Sequence, residues 1–482
     1  MFHQKLKCSL TPQTAALFLA IGLGQVTQAQ FVVPSDDCPT IEMAIEKAYN
    51  GAEVRILAGT YTPAHTLDAE GKNIQFIGET DFLGNPLTII SGGHRQRIFN
   101  CRTGETSLTV YRNLVFADGY DGVAGGMFIE NASPGIVNCA FVDNRSEFQA
   151  GALYTGSNVD MSIESTLFVR NRSSAGGAVH NRDGRVSYRN CTFLSNEADE
   201  GGALRTSNNF VSLENCSFVG NTCGLTGGAA ELRYGSSLLY NCTFFDNEAR
   251  DGGAVFNYWS ESIFEQCDFD SNHASRSGGA TVENSSEHAY YGTCSFKNNH
   301  AVHEGGGVVL WGDEAEFLGC IFEDNWTYGE GGAAILKNTH VDFMDTTIKG
   351  NEAIADGGAI ALLEATADLL RVSIEDNDSS STGGIHASAS SSTTLWNSTV
   401  CDNTNDQIIG TWIDNGLNCV GIRCDQCNCP ADLNLDGIVD GRDLVQIIGA
   451  WGNSGGAEDL NGDGLVDATD LTILIGSWGT CP

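Results

Sequence analysis

Three features of the sequence predict an all-β chain wound as a parallel β-helix, a solenoid of short strands. Gly-Gly pairs, or a close substitute, end at Gly126, Gly151, Gly177, Gly202, Gly228, Gly253, Gly279, Gly306, Gly332, Gly358 and Gly384, at intervals of 25 to 27 residues. Eleven segments such as NCTFLSN (190–196), NCSFVGN (215–221) and NCTFFDN (241–247) keep phase with those pairs. Between them apolar residues alternate, as in GGALRT, VSLENC and CSFVGN, which is the period of short strands. A coil of about 26 residues holding three short strands, each paired to the next coil, builds a parallel β-helix.

The elements follow in chain order. Lys5 and Lys7 charge the first residues, Ala15 to Gly24 form a short apolar run, and Thr27-Gln28-Ala29 offers a cleavage site. Residues 1–29 therefore read as a secretory signal peptide. That run is shorter than the ~20 residues a membrane span needs, and no later stretch reaches that length. A secreted or cell-surface bacterial protein starting near Gln30 is expected. TIEMAIEKAYNG (40–51) reads as an amphipathic helix with Thr40 as N-cap, Ile41, Ala44, Ile45 and Ala48 on one face, and Gly51 as stop. VRILAGTY and KNIQFIGE follow as strand-like runs. Residues 30–118 are read as cap and first coils, 119–410 as regular repeats, 411–430 as a Cys-rich linker and 431–482 as a separate module. A cap is needed because the first rung otherwise exposes an unpaired edge.

Each repeat position has a physical role. Phe141, Phe168, Phe193, Phe218, Phe244, Phe269, Phe296 and Phe322, then Ile348, Ile374 and Val400, form an inward stack, with rungs about 4.8 Å apart. Asn144, Asn171, Asn196, Asn221, Asn247, Asn272, Asn299, Asn325, Asn351, Asn377 and Asn403 end a strand at a turn. There Asn tolerates a left-handed backbone, and stacked amides hydrogen-bond from coil to coil. The Gly pairs are corners where a Cβ obstructs the turn. A phosphate-cradling loop needs a following helix and usually a Lys, and neither is present.

The paired motifs GGA and FxxN, as in GGALRT and FVGN, resemble the repeats of chlamydial polymorphic outer-membrane proteins. Those are right-handed β-helical passengers of autotransporters, associated with adhesion. The resemblance covers residues 120 to 410 and implies a right-handed coil and a surface- or matrix-association role. No membrane β-barrel follows the repeats, so barrel anchoring is not carried over. The helix and strands that precede the repeats resemble the capped start of pectate-lyase-like β-helix proteins.

Charge narrows the partners. Net charge is −36, from 61 acidic and 25 basic residues, which repels nucleic acid and anionic membrane and suits a cation. The residue before Gly-Gly is acidic at Glu200, Asp251, Glu304, Glu330 and Asp356, the last three on successive coils, with His300 and His303 just upstream of Glu304. Such a ridge suits a cation or a sugar cleft, but on so acidic a chain a solvated turn is the favoured reading. A glycosidase needs two carboxylates facing one cleft, and a lyase needs a basic residue. Lysines in the repeats are limited to Lys297, Lys337 and Lys349. A non-enzymatic role is expected; the alternative is a polysaccharide lyase or hydrolase.

The cysteines form two populations. Cys139, Cys191, Cys216, Cys242, Cys267, Cys294 and Cys320 share one repeat position and are expected as a buried packing ladder, although rung-to-rung disulfides are within reach. Cys419, Cys424, Cys427 and Cys429 cluster in NCVGIRCDQCNCP, where a secreted context favours disulfides over zinc.

The strongest chemical signal comes last. DLNLDGIVDGRD (432–443) and DLNGDGLVDATD (459–470) are twelve-residue loops, 27 residues apart. The first offers Asp432, Asn434, Asp436, Asp440 and Asp443; the second offers Asp459, Asn461, Asp463, Asp467 and Asp470. Oxygen donors at positions 1, 3, 5, 9 and 12, with Gly at 6, suit a Ca2+ shell of six to eight oxygens. Ile438 and Leu465 supply position-7 carbonyls, and each loop runs into an apolar helix, LVQIIGAWG or LTILIGSWG. The duplicate resembles the type I dockerin, a small EF-hand-like α-helical module. That resemblance implies two Ca2+ sites and a cohesin-like partner chosen at loop positions 10 and 11, here Gly441-Arg442 and Ala468-Thr469. Cys429 and Cys481 bracket the unit as a candidate clasp. An extracellular matrix component or a polysaccharide is the partner expected for the solenoid.

Overall fold

The computed structural model describes residues 30–285, 288–312, 314–424, 431–434, 438–461 and 463–480. The expected signal peptide, Asp436, Cys427, Cys429 and Cys481 lie outside the described residues. The chain winds as a right-handed parallel β-solenoid of about 14 turns. Its strands form sheets of 28 and 15 strands and an eight-stranded ribbon on the side of the Gly-Gly corner.

Register follows the repeat. Thr192–Leu194 pairs with Ser217–Val219, which pairs with Thr243–Phe245, so Phe193, Phe218 and Phe244 stand in one column. From Phe141 to Phe322 the rings stack at 4.5 to 5.1 Å. Ile348, Ile374 and Val400 continue the column, fully buried. A second stack, Phe264, Tyr291, Phe317 and Phe343, runs beside it at 4.8 to 5.0 Å. Each such pair adds about 0.5–1.5 kcal/mol to its burial.

The Asn column is a buried amide ladder. Asn221 Nδ2 donates to Phe193 O at 3.0 Å and to Asn247 Oδ1 at 2.9 Å, and its backbone N–H donates to the same Oδ1 at 3.1 Å. The pattern repeats up to Asn403, where Gln407 Oε1 takes the place of the next amide. One expectation is corrected: the left-handed residue is the one before the ladder Asn, as at Asp143, Arg170, Ser195 and Asp246 with φ of 52 to 55°. The ladder Asn must point inward to reach its neighbours, so its predecessor makes the bend.

Both members of a Gly pair are needed, for different reasons. Gly201, Gly227 and Gly252 have φ of 64 to 70°. On Gly202 or Gly253, a Cβ would lie 1.9 or 2.1 Å from the carbonyl oxygen of Gly228 or Gly279 on the next coil.

A short helix packs on the first two strands. Helix Ile41–Lys47 is N-capped by Thr40, whose side chain accepts from the Met43 N–H, and it buries Ile41, Ala44 and Ile45. It ends at the Ala48 cap, and Gly51, with φ 86°, turns the chain after it. At the far end Thr411–Asp414 and Cys419–Gly421 still pair in parallel with the coil before them. Coil pairing thus enters the stretch read as linker.

The cysteine ladder is reduced and buried. Cys242 Sγ, for example, donates to Tyr240 O at 3.5 Å and Leu213 O at 3.6 Å. Burial pushes the Cys139 thiol up to about 12. In the second population Cys424 is bonded to Cys401 on the last regular coil, and Cys419 is also disulfide-bonded.

The C-terminal residues form their own small core of Ala431, Val439, Ile447, Val466 and Leu474. Two helices, Gly441–Ala450 and Ala468–Gly476, flank it. Ile438–Val439 pairs antiparallel with Gly479–Thr480 and joins its ends.

Candidate metal-binding module and the outer faces of the solenoid

The two loops share one construction. Asp440 and Asp467, at position 9, cap the helices by accepting from the Arg442 and Thr469 N–H groups at 2.7 Å. Asp443 and Asp470, at position 12, are fully buried and reach back across the loop. Asp443 accepts from the Asn434 and Asp440 N–H groups at 3.0 and 2.8 Å. Asp470 accepts from Asn461 and Asp467 at 3.1 and 2.8 Å. Burial raises the Asp470 carboxyl, but its backbone donors outweigh that and hold it below the ordinary aspartate value. These caps and capping boxes were not read from the sequence, although D-x-x-D at a helix start signals them.

The residues present fit a hard cation. Asp459 Oδ2 accepts from the Gly464 N–H at 2.8 Å, while its Oδ1 is buried with no hydrogen-bond partner among the described residues. A buried, unpaired carboxylate oxygen is costly unless a cation or donor meets it. Asn461 and Asp463 are held together by two hydrogen bonds of 2.8 and 3.0 Å. Asp432 is nearly buried. The donors are all oxygens, as calcium prefers.

The module leaves an apolar surface outside. Ile448 on the first helix and its C-cap Trp451 are 59% and 48% exposed; their equivalents Ile475 and Trp478 are 57% and 51% exposed. Gly441, Arg442, Ala468 and Thr469, at the helix starts, are also exposed.

On the solenoid the acidic ridge is more paired than a solvated turn. Glu200 meets Arg205 at 2.7 Å, and Asp251 meets Arg276 at 2.6 Å and Arg250 at 3.1 Å. Glu304 is bonded to Lys337 and accepts from Ser277. It stands in register with Glu330. Asp356 lies 3.9 Å from His386. His300 packs on Trp326 at 4.1 Å, and burial, then His273, lower it to about 4.

Sequence reading missed a charged column beside the ridge. Tyr154, His180, Arg205 and Glu231 occupy one outward position on successive coils. Glu231 is fully buried between Arg205 at 2.7 Å and Arg233 at 2.8 Å. His180 is buried, and neither ring nitrogen has a hydrogen-bond partner among the described residues. Burial, then Arg205 and Arg182, lower it to about 3, so it is neutral. Their spacing of 25 to 26 residues was the available signal.

Comparison with known proteins agrees with this architecture. Residues 169–325 match the family model of a right handed beta helix region, and residues 430–477 match the dockerin type I domain. Dockerin type I domains bind calcium and cohesins and occur in extracellular proteins. No curated protein matches. Among solved structures the chain is similar to a mannuronic acid specific polysaccharide family 6 lyase from human gut microbiota, at 10% identity and TM-score 0.37, covering 77% of this chain and 87% of that one. It is also similar to the receptor binding domain of the Siphovirus 9NA tailspike, at 10% identity and TM-score 0.29, covering 80% and 76%. At those scores neither likeness carries a functional argument. No described helix is long and apolar enough to cross a membrane.

Proposed function

We propose that this union of a right-handed β-helix and a dockerin type I domain is an extracellular, assembly-attached protein with a non-enzymatic role in surface or matrix association. The C-terminal module binds two Ca2+ through Asp432, Asn434, Asp436, Asp440 and Asp443, and through Asp459, Asn461, Asp463, Asp467 and Asp470. It docks a cohesin-like partner with the exposed Ile448, Trp451, Ile475 and Trp478. The observation that carries this reading is the buried Oδ1 of Asp459, without a hydrogen-bond partner among the described residues, within a loop whose ligand set is all oxygen. Burying a carboxylate without a counter-charge destabilises the fold, so metal binding supplies folding free energy.

Ion pairing on the ridge supports the non-enzymatic half. A glycosidase needs one protonated and one ionised carboxyl facing the bond. Glu200, Asp251 and Glu304 instead each hold a fixed cationic partner. One observation favours the competing reading, a polysaccharide lyase or hydrolase: the neutral His180, without a hydrogen-bond partner among the described residues, beside Arg205 and the buried Glu231.

The test uses the full chain. With calcium it is expected to bind members of a cohesin panel, and chelator is expected to abolish binding while the solenoid stays folded. Binding that ignores chelator, or none with calcium, refutes the docking half. Release of unsaturated or reducing-end products from a polysaccharide panel refutes the non-enzymatic half.

A further inference from the structure

We propose that the outward face of strands His340–Met344, Thr366–Leu370 and Ser392–Trp396 is a binding site for an uncharged polysaccharide. This rests on the surface- or matrix-association reading above and says where on the solenoid, and with which chemical class, association occurs. The three strands pair in register, which sorts their outward side chains into columns, two of which form the site. One column reads Asp342, Asp368, Thr394; the other reads Met344, Leu370, Trp396. Coils stand about 4.8 Å apart, so thioether, isobutyl and indole groups make one apolar strip beside two carboxylates and a hydroxyl.

A trough of about 240 Å³ lies along these strips, lined also by Asn415. Trp396 is 55% exposed over it. His340 positions the acidic column: its Nε2 lies 3.3 Å from Asp342 Oδ1 and its Nδ1 lies 2.8 Å from Thr366 Oγ1. Asp368 is exposed and has no ion-pair partner among the described residues.

The pairing of strips matches a pyranose. A sugar ring has an apolar C–H face, which stacks on an indole, and a rim of hydroxyls, which donate to carboxylates in charge-assisted hydrogen bonds. The trough has room for one ring, so it is one subsite of a longer chain laid along the coils. Charge selects the class. A uronate or sulfate here would face Asp342, Asp368 and, one coil earlier, Glu316, on a chain of net charge −36. Like charges in that arrangement repel. An uncharged chain meets no such barrier.

The experiment titrates the calcium-loaded full chain with cello-, manno- and xylo-hexaose and with galacturonate and mannuronate hexamers, by calorimetry and tryptophan fluorescence. At least one uncharged hexamer is expected to bind, with uronates weaker by about tenfold or more. Trp396→Ala is expected to weaken binding about tenfold and Asp368→Asn several-fold, with Trp396→Phe largely retaining it and far-UV dichroism unchanged. Preference for uronates overturns the proposal. Glycan binding indifferent to Trp396→Ala overturns it while leaving surface or matrix association standing. Absence of binding to every glycan overturns the proposal, and absence of binding to matrix proteins as well refutes the association reading. The ligand atoms of His340, Asp342 and Asp368 lie within 4.8 Å of one another. Zinc or manganese binding that His340→Ala abolishes, and that excludes the hexaoses, makes the cluster a cation site and overturns the proposal.

Discussion

Replacing Asn247 by Ala tests the amide ladder most directly. The substitution deletes four hydrogen bonds. Asn247 Nδ2 donates to Phe218 O and Asn272 Oδ1, both at 3.0 Å, and its Oδ1 accepts from the Asn221 N–H at 3.1 Å and Asn221 Nδ2 at 2.9 Å. Asn272 Oδ1 keeps one donor, the Asn247 backbone N–H at 3.1 Å. The two Asn221 donors keep none at that acceptor, and both are fully buried. A stranded buried donor costs about 1–3 kcal/mol, so the loss is about 2–6 kcal/mol. Asn241→Ala is the control, because it removes one exposed bond of 2.7 Å. Its cost, mostly left-handed strain at φ 50°, is about 1–2 kcal/mol. Denaturant unfolding of the full chain, with amide exchange read at Asn221, separates the two variants. A loss for Asn247→Ala below about 1 kcal/mol, with the Asn221 amide still protected, refutes the reasoning.

Chelating calcium from the full chain is expected to lower helical dichroism and shift Trp451 and Trp478 fluorescence, and Asp459→Ala to weaken one site about tenfold, or about 1.4 kcal/mol; an unchanged module in chelator contradicts the calcium reading. His180 has its pKa lowered from 6.5 to about 3 in the fold, so the unfolded chain takes up the proton first. Stability is then fully present above pH 6.5 and falls by about 1.4 kcal/mol per unit down to about pH 3; His180→Leu should flatten that slope, and identical acid limbs would rule it out. The ladder thiols, 0 to 3% exposed, are expected to resist alkylation until denaturant is added, and rapid native labelling would show that the coils open. Exchanging Glu304, Glu330 and Asp356 for Gln or Asn is expected to leave any glycan activity intact, and its loss from a folded variant would transfer function to the ridge.

The sequence by itself determined the solenoid, because one period carried three local rules at once. Phe193, Phe218 and Phe244 had to face inward, the Gly pairs had to be corners, and Asn196, Asn221 and Asn247 had to meet across coils. Donor spacing in the loops at 432–443 and 459–470 pointed to calcium in the same way, since the ligands of such a site lie within one turn of chain. Tertiary structure decided the rest. It placed the left-handed bend one residue before each ladder Asn, ended the ladder on Gln407, bonded Cys424 to Cys401, and set Arg205 against Glu231. It also made Asp443 and Asp470 buried capping-box partners of the N-cap residues as well as candidate ligands. Outward side chains meet partners on neighbouring coils, some 25 residues away. Which ones meet depends on the register between coils and on rotamers at the surface, and no local pattern of apolar and polar residues encodes either.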